Sequence, residues 1–140
     1  MNKEEKELLL KVLCEMLPHK VRCNCVNGLG GGKTDKGVLK YIGNCNGVIS
    51  NYYEDIPIDS GFVNNVFYPI ENIKPYLRPI TSMTKKEKKE YDKLRMSFYK
   101  NAKDASLVLV DWLNEHHFDQ RGLIEKGLAL EAPEGMYEIV

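Results

Sequence analysis

The stretch Gly28-Leu-Gly-Gly-Gly-Lys33-Thr34 has the residue types of a phosphate-binding P-loop: glycines that let backbone amides approach an anion, then a lysine and a hydroxyl. Its spacing departs from that motif. A glycine is needed five residues before the Gly-Lys pair, and Asn27 stands there, with Gly28 one position too late. The loop should also open a helix whose amides hold phosphate, whereas Asp35-Lys36-Gly37 leads into a β-prone run. Leu107-Val-Leu-Val-Asp111 mimics the strand that ends in a magnesium-binding aspartate, but Trp112-Leu113 continues it with helical spacing. A hairpin tip fits the glycines better, and its Lys33 and Lys36 can close over an anionic ligand.

The richest aromatic and cationic set is Tyr52, Tyr53, Tyr68, Lys74, Tyr76 and Arg78. Such residues stack bases and bind phosphates, although tyrosines on a small sheet also serve simply to cover it. Pro75 and Pro79 stiffen the backbone around Tyr76 and Arg78, so a ring for a purine and a planar cation for its phosphate would be held with little ordering cost. His116 and His117 follow Trp112 at a helix end, where histidines cap carbonyls. Metal or acid–base chemistry there would need Asp119 or a distant partner such as His19 or Cys14, and neighbours on a helix point apart. Asp119 and Arg121 are expected to hold the following turn through a charge-assisted hydrogen bond. Glu54, Asp55 and Asp59 lack calcium-loop grammar, and Cys14, Cys23, Cys25 and Cys45 lack C-x-x-C spacing. No catalytic residue, metal ligand or cofactor is therefore assigned. The candidate ligand contacts are Lys33, Lys36, Tyr53, Tyr76, Arg78 and Arg121.

These residues must be positioned by an α+β arrangement, expected as one domain over 1–140. Residues 3–17 form an amphipathic helix with Leu8, Leu9, Val12, Leu13, Met16 and Leu17 at three-and-four spacing, glutamates in the first turn and Pro18 at the end. Residues 20–80 are strand-rich, with β-prone runs broken by Gly, Asn and Asp; four or five short strands predict a small antiparallel sheet or an SH3-like partial barrel. Residues 73–80 read as an extended connector crossing the sheet edge. Residues 84–131 are helical. Thr84-Lys-Lys-Glu87 has capping-box spacing, and a helix over 104–116 places Ala105, Val108, Leu109, Trp112 and Leu113 on its buried stripe, with Trp112 against the sheet or first helix. A short helical turn over 123–130 and a coil from 132 complete two to three C-terminal helices.

Lys plus Arg and Asp plus Glu are both 20, so net charge argues against nucleic acid and anionic membrane as partners. The distribution is uneven: residues 84–100 carry seven basic and three acidic side chains, and residues 101–140 carry three basic and eight acidic. No apolar run reaches the length of a membrane span, and the N-terminus lacks a signal-peptide core, so a cytosolic protein with reduced cysteines is expected.

Two segments, IKPYLRPITSMT (residues 73–84) and DWLNEHHFDQRGLIEKGLALEAP (residues 111–133), resemble small, functionally unassigned proteins encoded by phages and mobile elements of gut Bacteroidales. The likeness covers the C-terminal half well and the strand region poorly, and it carries over no active site. It implies an accessory protein in a bacterial cytosol. The function expected is a non-enzymatic binder that neutralises a host antiviral component by sequestering a nucleotide-type signal, at or near a homo-oligomer interface. The alternatives are a module docking on a host or phage protein, and, third, a metal-dependent or nucleotide-processing enzyme using His116, His117 or Asp119.

Overall fold

The computed structural model describes residues 1–26, 35–43, 60–63, 66–98 and 102–137. Helix α1 (Lys3–Met16) starts at a capping box in which Asn2 and Glu5 satisfy each other's backbone amides, with Glu4 and Glu5 in the first turn. Leu9, Val12, Leu13 and Met16 are buried, as their spacing predicts. Pro18 falls in a 3-10 turn, Leu17–His19, at a position where its missing N–H costs nothing. Lys20, at φ 55°, then turns the chain into the sheet.

The sheet has six strands: β1 (Arg22–Cys25), β2 (Asp35–Gly43), β3 (Ser60–Val63), β4 (Val66–Pro69), β5 (Ile73–Leu77) and β6 (Leu130–Glu131). Their order is β4-β3-β2-β1-β5-β6. All neighbours are antiparallel except β5 and β6. The α+β class holds. The sheet is open, with six strands rather than four or five, and the parallel β5–β6 pair makes it mixed rather than purely antiparallel. Period-two alternation puts Cys23, Cys25, Ile73 and Leu77 on the face that α1 covers, where Val21, Leu39, Val63, Tyr68 and Ile70 join the core. Gly61 is required on this face, because a Cβ there would lie 2.5 Å from Ile73 Cδ1 and 3.0 Å from Leu39 Cδ1.

Residues 73–77 are an interior strand, not an edge connector, and Pro75 shows how that is tolerated. Val26 N–H donates to Asn72 O, so hydrogen-bonded pairs on the β1–β5 ladder alternate and Pro75 sits opposite Cys23 at a non-bonded position. Its ring nitrogen faces the other side, where β6 begins only opposite Tyr76. Beyond Pro75, β5 changes neighbour. Arg78 N–H donates to His117 O and Asp119 N–H to Arg78 O, so residues 117–119 replace β1 beside it. At the junction the Tyr137 hydroxyl accepts from Arg22 N–H (2.9 Å) and donates to Tyr76 O (2.8 Å), completing a rung that the diverging strands do not make directly.

Helices α2 (Lys85–Phe98) and α3 (Ala102–Glu115) form a hairpin. Trp112 is half-buried on this hairpin, its ring 6.0 Å from Tyr91, 4.2 Å from His116 and 5.8 Å from Phe118. This corrects its expected burial against the sheet or α1. Val108 is likewise 49% exposed: five residues before the buried Leu113, it falls on the other side of α3. Residues 123–127 make turns, and β6 follows where a helical turn and coil were expected. A two-residue parallel strand carries no alternation by which to recognise it.

Tyr137→Phe is expected to lower stability by about 1 kcal/mol, the usual net worth of a hydrogen bond. It should also speed amide exchange at Arg22, read by urea denaturation and hydrogen exchange.

Candidate functional site

Arg78 follows Leu77 on β5, and its fork is engaged inside the protein. Nη1 and Nη2 each donate to one Glu87 carboxylate oxygen at 2.7 Å, Nη1 also reaches His116 O at 3.2 Å, and the guanidinium lies 4.3 Å over the Phe118 ring. The expected capping box forms, since Thr84 N–H donates to Glu87 Oε1 and Glu87 N–H to the Thr84 hydroxyl. Glu87 thus caps α2 and clamps Arg78 at once. Arg78 is 7% exposed and Glu87 1%. In place of a guanidinium held ready for phosphate, the structure has a joint between sheet and hairpin. Burial pushes the Glu87 carboxyl up, but the bonds from Arg78 and Thr84 and the Arg78 charge outweigh it and bring it to about 2.

Arg121 also has an internal partner: Nη2 donates to Glu15 Oε1 at 2.6 Å, tying the turn to α1. Asp119, expected to pair with Arg121, instead accepts from the Leu123 and Ile124 amides and caps the turn. His116 Nδ1 contacts Trp112 O at 2.8 Å, as a C-terminal histidine can. His117, at φ 61°, has left the helix; its Nε2–H donates to His19 O at 2.6 Å and its ring stacks 3.7 Å from Tyr137. Burial, chiefly, lowers its pKa, which favours this neutral donor form. Among the described residues no group of three or more His, Cys, Asp or Glu could hold a metal ion. Tyr68 lies in the core. Lys33, Tyr52, Tyr53, Cys45, the glycine run and the Glu54, Asp55 and Asp59 cluster lie outside the described residues.

Lys36 and Tyr76 are brought together. The ammonium is 5.9 Å from the ring centroid, at the outer reach of a cation–π contact. Their setting is the sheet face opposite α1. Register aligns Lys36, Asn24 and Lys74 in one row across β2, β1 and β5. By the same alternation Arg22 and Tyr76 share this face. Lys36, Lys74 and Arg22 are exposed, Asn24 half-buried, and Tyr76 7% exposed beneath Lys36. A cleft of about 290 Å³ opens beside the row, lined by Asn24, Val26, Glu71, Asn72, Lys74 and Leu130. Its one carboxylate, Glu71, is paired with Lys6 at 3.5 Å. Asn24 and Arg22 were absent from the candidates, although the Arg22, Asn24 alternation against Cys23 and Cys25 already placed them together.

A second cleft, of about 340 Å³, lies between Arg78, Ser82, Thr84, Glu131, Glu134 and Tyr137. Its lone cation is the paired Arg78 and its rim carries two exposed carboxylates, so it does not suit an anion. Among the described residues no helix is long and apolar enough to cross a membrane. No family model, curated protein or solved structure matches the chain.

Replacing Glu87 with Ala strands a buried guanidinium and should cost about 3–5 kcal/mol, whereas Arg78→Met with Glu87→Leu should cost less than either single change, as measured by urea denaturation. The pH dependence follows from Glu87. Its carboxyl binds a proton near 4.5 when unfolded and near 2 when folded, so the unfolded state takes up more protons in acid. The contribution is full above about pH 4.5 and is lost as pH falls toward 2, a few kcal/mol in all. Acid titrations of the wild type and of the Arg78→Met/Glu87→Leu variant should differ in that window alone.

Proposed function

We propose that this protein is a non-enzymatic binder that holds a nucleotide-type anion on the open sheet face. The observation that carries this reading is the Lys36–Asn24–Lys74 row beside Tyr76 and the 290 Å³ cleft. Two ammonium groups on the two strands that flank β1 suit the separated charges of a phosphate ester, and the Asn24 amide offers both a donor and an acceptor to a base edge. Tyr76 becomes a stacking surface when the flexible Lys36 stem moves from its ring to the phosphate. A balance of 20 basic and 20 acidic residues suits a small ligand better than a polymer of phosphates. The resemblance to proteins of Bacteroidales phages and mobile elements supports the setting: sequestration of a nucleotide signal of host defence in a bacterial cytosol.

Titration calorimetry with a panel of linear and cyclic nucleotides tests this. Binding is expected, with Lys74→Ala weakening it by roughly 1.5–3 kcal/mol, the worth of a hydrogen bond to a charged group, or about 10- to 150-fold. Lys74 is exposed, so the fold should survive the change. Absence of heat with every nucleotide, from folded and ligand-free protein, would overturn the proposal in favour of protein docking.

A further inference from the structure

Arg78 grips Glu87 and Gln120 bonds Asn114 where the α2–α3 hairpin meets the body, and Trp112 Nε1 donates to Glu90 within the hairpin. With 3.6 residues per turn, positions 107, 110 and 114 share one side of α3. Asn114 is 5% exposed and Val110 half-buried, while Leu107 is 67% exposed. One stripe therefore runs from the protein body out into solvent. Val108 beside it is 49% exposed, and Met96, near the end of α2, is 66% exposed. Three large apolar side chains at one end of a two-helix unit mark an interaction surface.

Charge identifies what covers it. The exposed side chains of α2 include Lys85, Lys86, Lys88, Lys89 and Arg95; those of α3 include Asp111 and Glu115. Lys89 lies two turns below Met96 on the same side of α2, and Asp111 one turn below Leu107 on α3. We propose that a second copy of this chain covers the hairpin, α2 of each protomer meeting α3 of the other in a two-fold four-helix bundle. Met96 then faces the partner's apolar tip, and the basic helix faces the acidic one. Packing α2 on α2 would instead set lysines against lysines. A two-fold axis supplies both complementary pairings from one neutral chain, and helices of 14 residues, about 21 Å long, suit bundle packing. This dimer stands independently of the ligand on the sheet face.

Sedimentation equilibrium of the full chain over a concentration series tests the proposal. The expected species is a dimer of the 16.1 kDa chain. The variant Leu107→Lys/Val108→Lys should be monomeric with an unchanged circular dichroism spectrum, since both side chains are exposed, and its thermal midpoint should no longer depend on protein concentration. Lys89→Glu should weaken the dimer, and Lys89→Glu with Asp111→Lys should restore it. A wild type of monomer mass throughout overturns the proposal, as does a dimer that survives the Leu107/Val108 change or ignores the charge reversal.

Discussion

Taking a guanidinium and a carboxylate out of water costs several kcal/mol per ion unless each finds near-complete hydrogen bonding. Arg78 and Glu87 meet that condition through two parallel 2.7 Å bonds, with the Thr84 amide completing the carboxylate's shell and the Phe118 ring lying beneath the cation. The consequence is directional. Arg78 leaves the end of β5, Glu87 is in the first turn of α2, and the fork geometry fixes how the hairpin leaves the sheet. Because Glu87 is also the N3 residue of the capping box, the start of α2 and its docking are one event.

β5 is the strand on which this arrangement converges. It pairs with β1, then with residues 117–119, and on its other side with β6. Each change leaves backbone groups that need partners. The Tyr137 hydroxyl, held by the His117 ring stacked on it, supplies the bridge where β1 turns away. Burial pushes the Tyr137 phenol above its ordinary range and keeps it protonated, so that it donates to Tyr76 O while accepting from Arg22 N–H. The C-terminal residues are thereby part of the sheet's construction.

The two faces of the sheet divide the polar residues. On the α1 side lies the apolar cluster that includes Cys23 and Cys25, and burial pushes the Cys23 thiol well up, leaving an inert packing group. The opposite face carries Arg22, Asn24, Lys36 and Lys74, of which Arg22, Lys36 and Lys74 are exposed. A structural cation and a binding cation thus differ here by partner: Arg78 and Arg121 have carboxylates within 2.7 Å, whereas Lys74 stands at the lip of a cleft.

Local pattern determined much of this molecule by itself. Capping boxes at Asn2–Glu5 and Thr84–Glu87, the α1 stripe, and the shared core face of Cys23 and Cys25 all follow from interactions between residues at most seven apart. The α+β class was legible to the same depth. What only the tertiary structure decided involves partners distant in sequence. Alternation says which residues share a face of a strand, but not which strand lies beside it, so Pro75 in an interior strand and the two-residue β6 were invisible. Whether an arginine is a joint or a ligand contact depends on a carboxylate brought up from elsewhere: Glu15 for Arg121, across 106 positions, and Glu87 for Arg78, across nine. A side chain's chemistry is written in its type; its availability is set by what the fold packs against it.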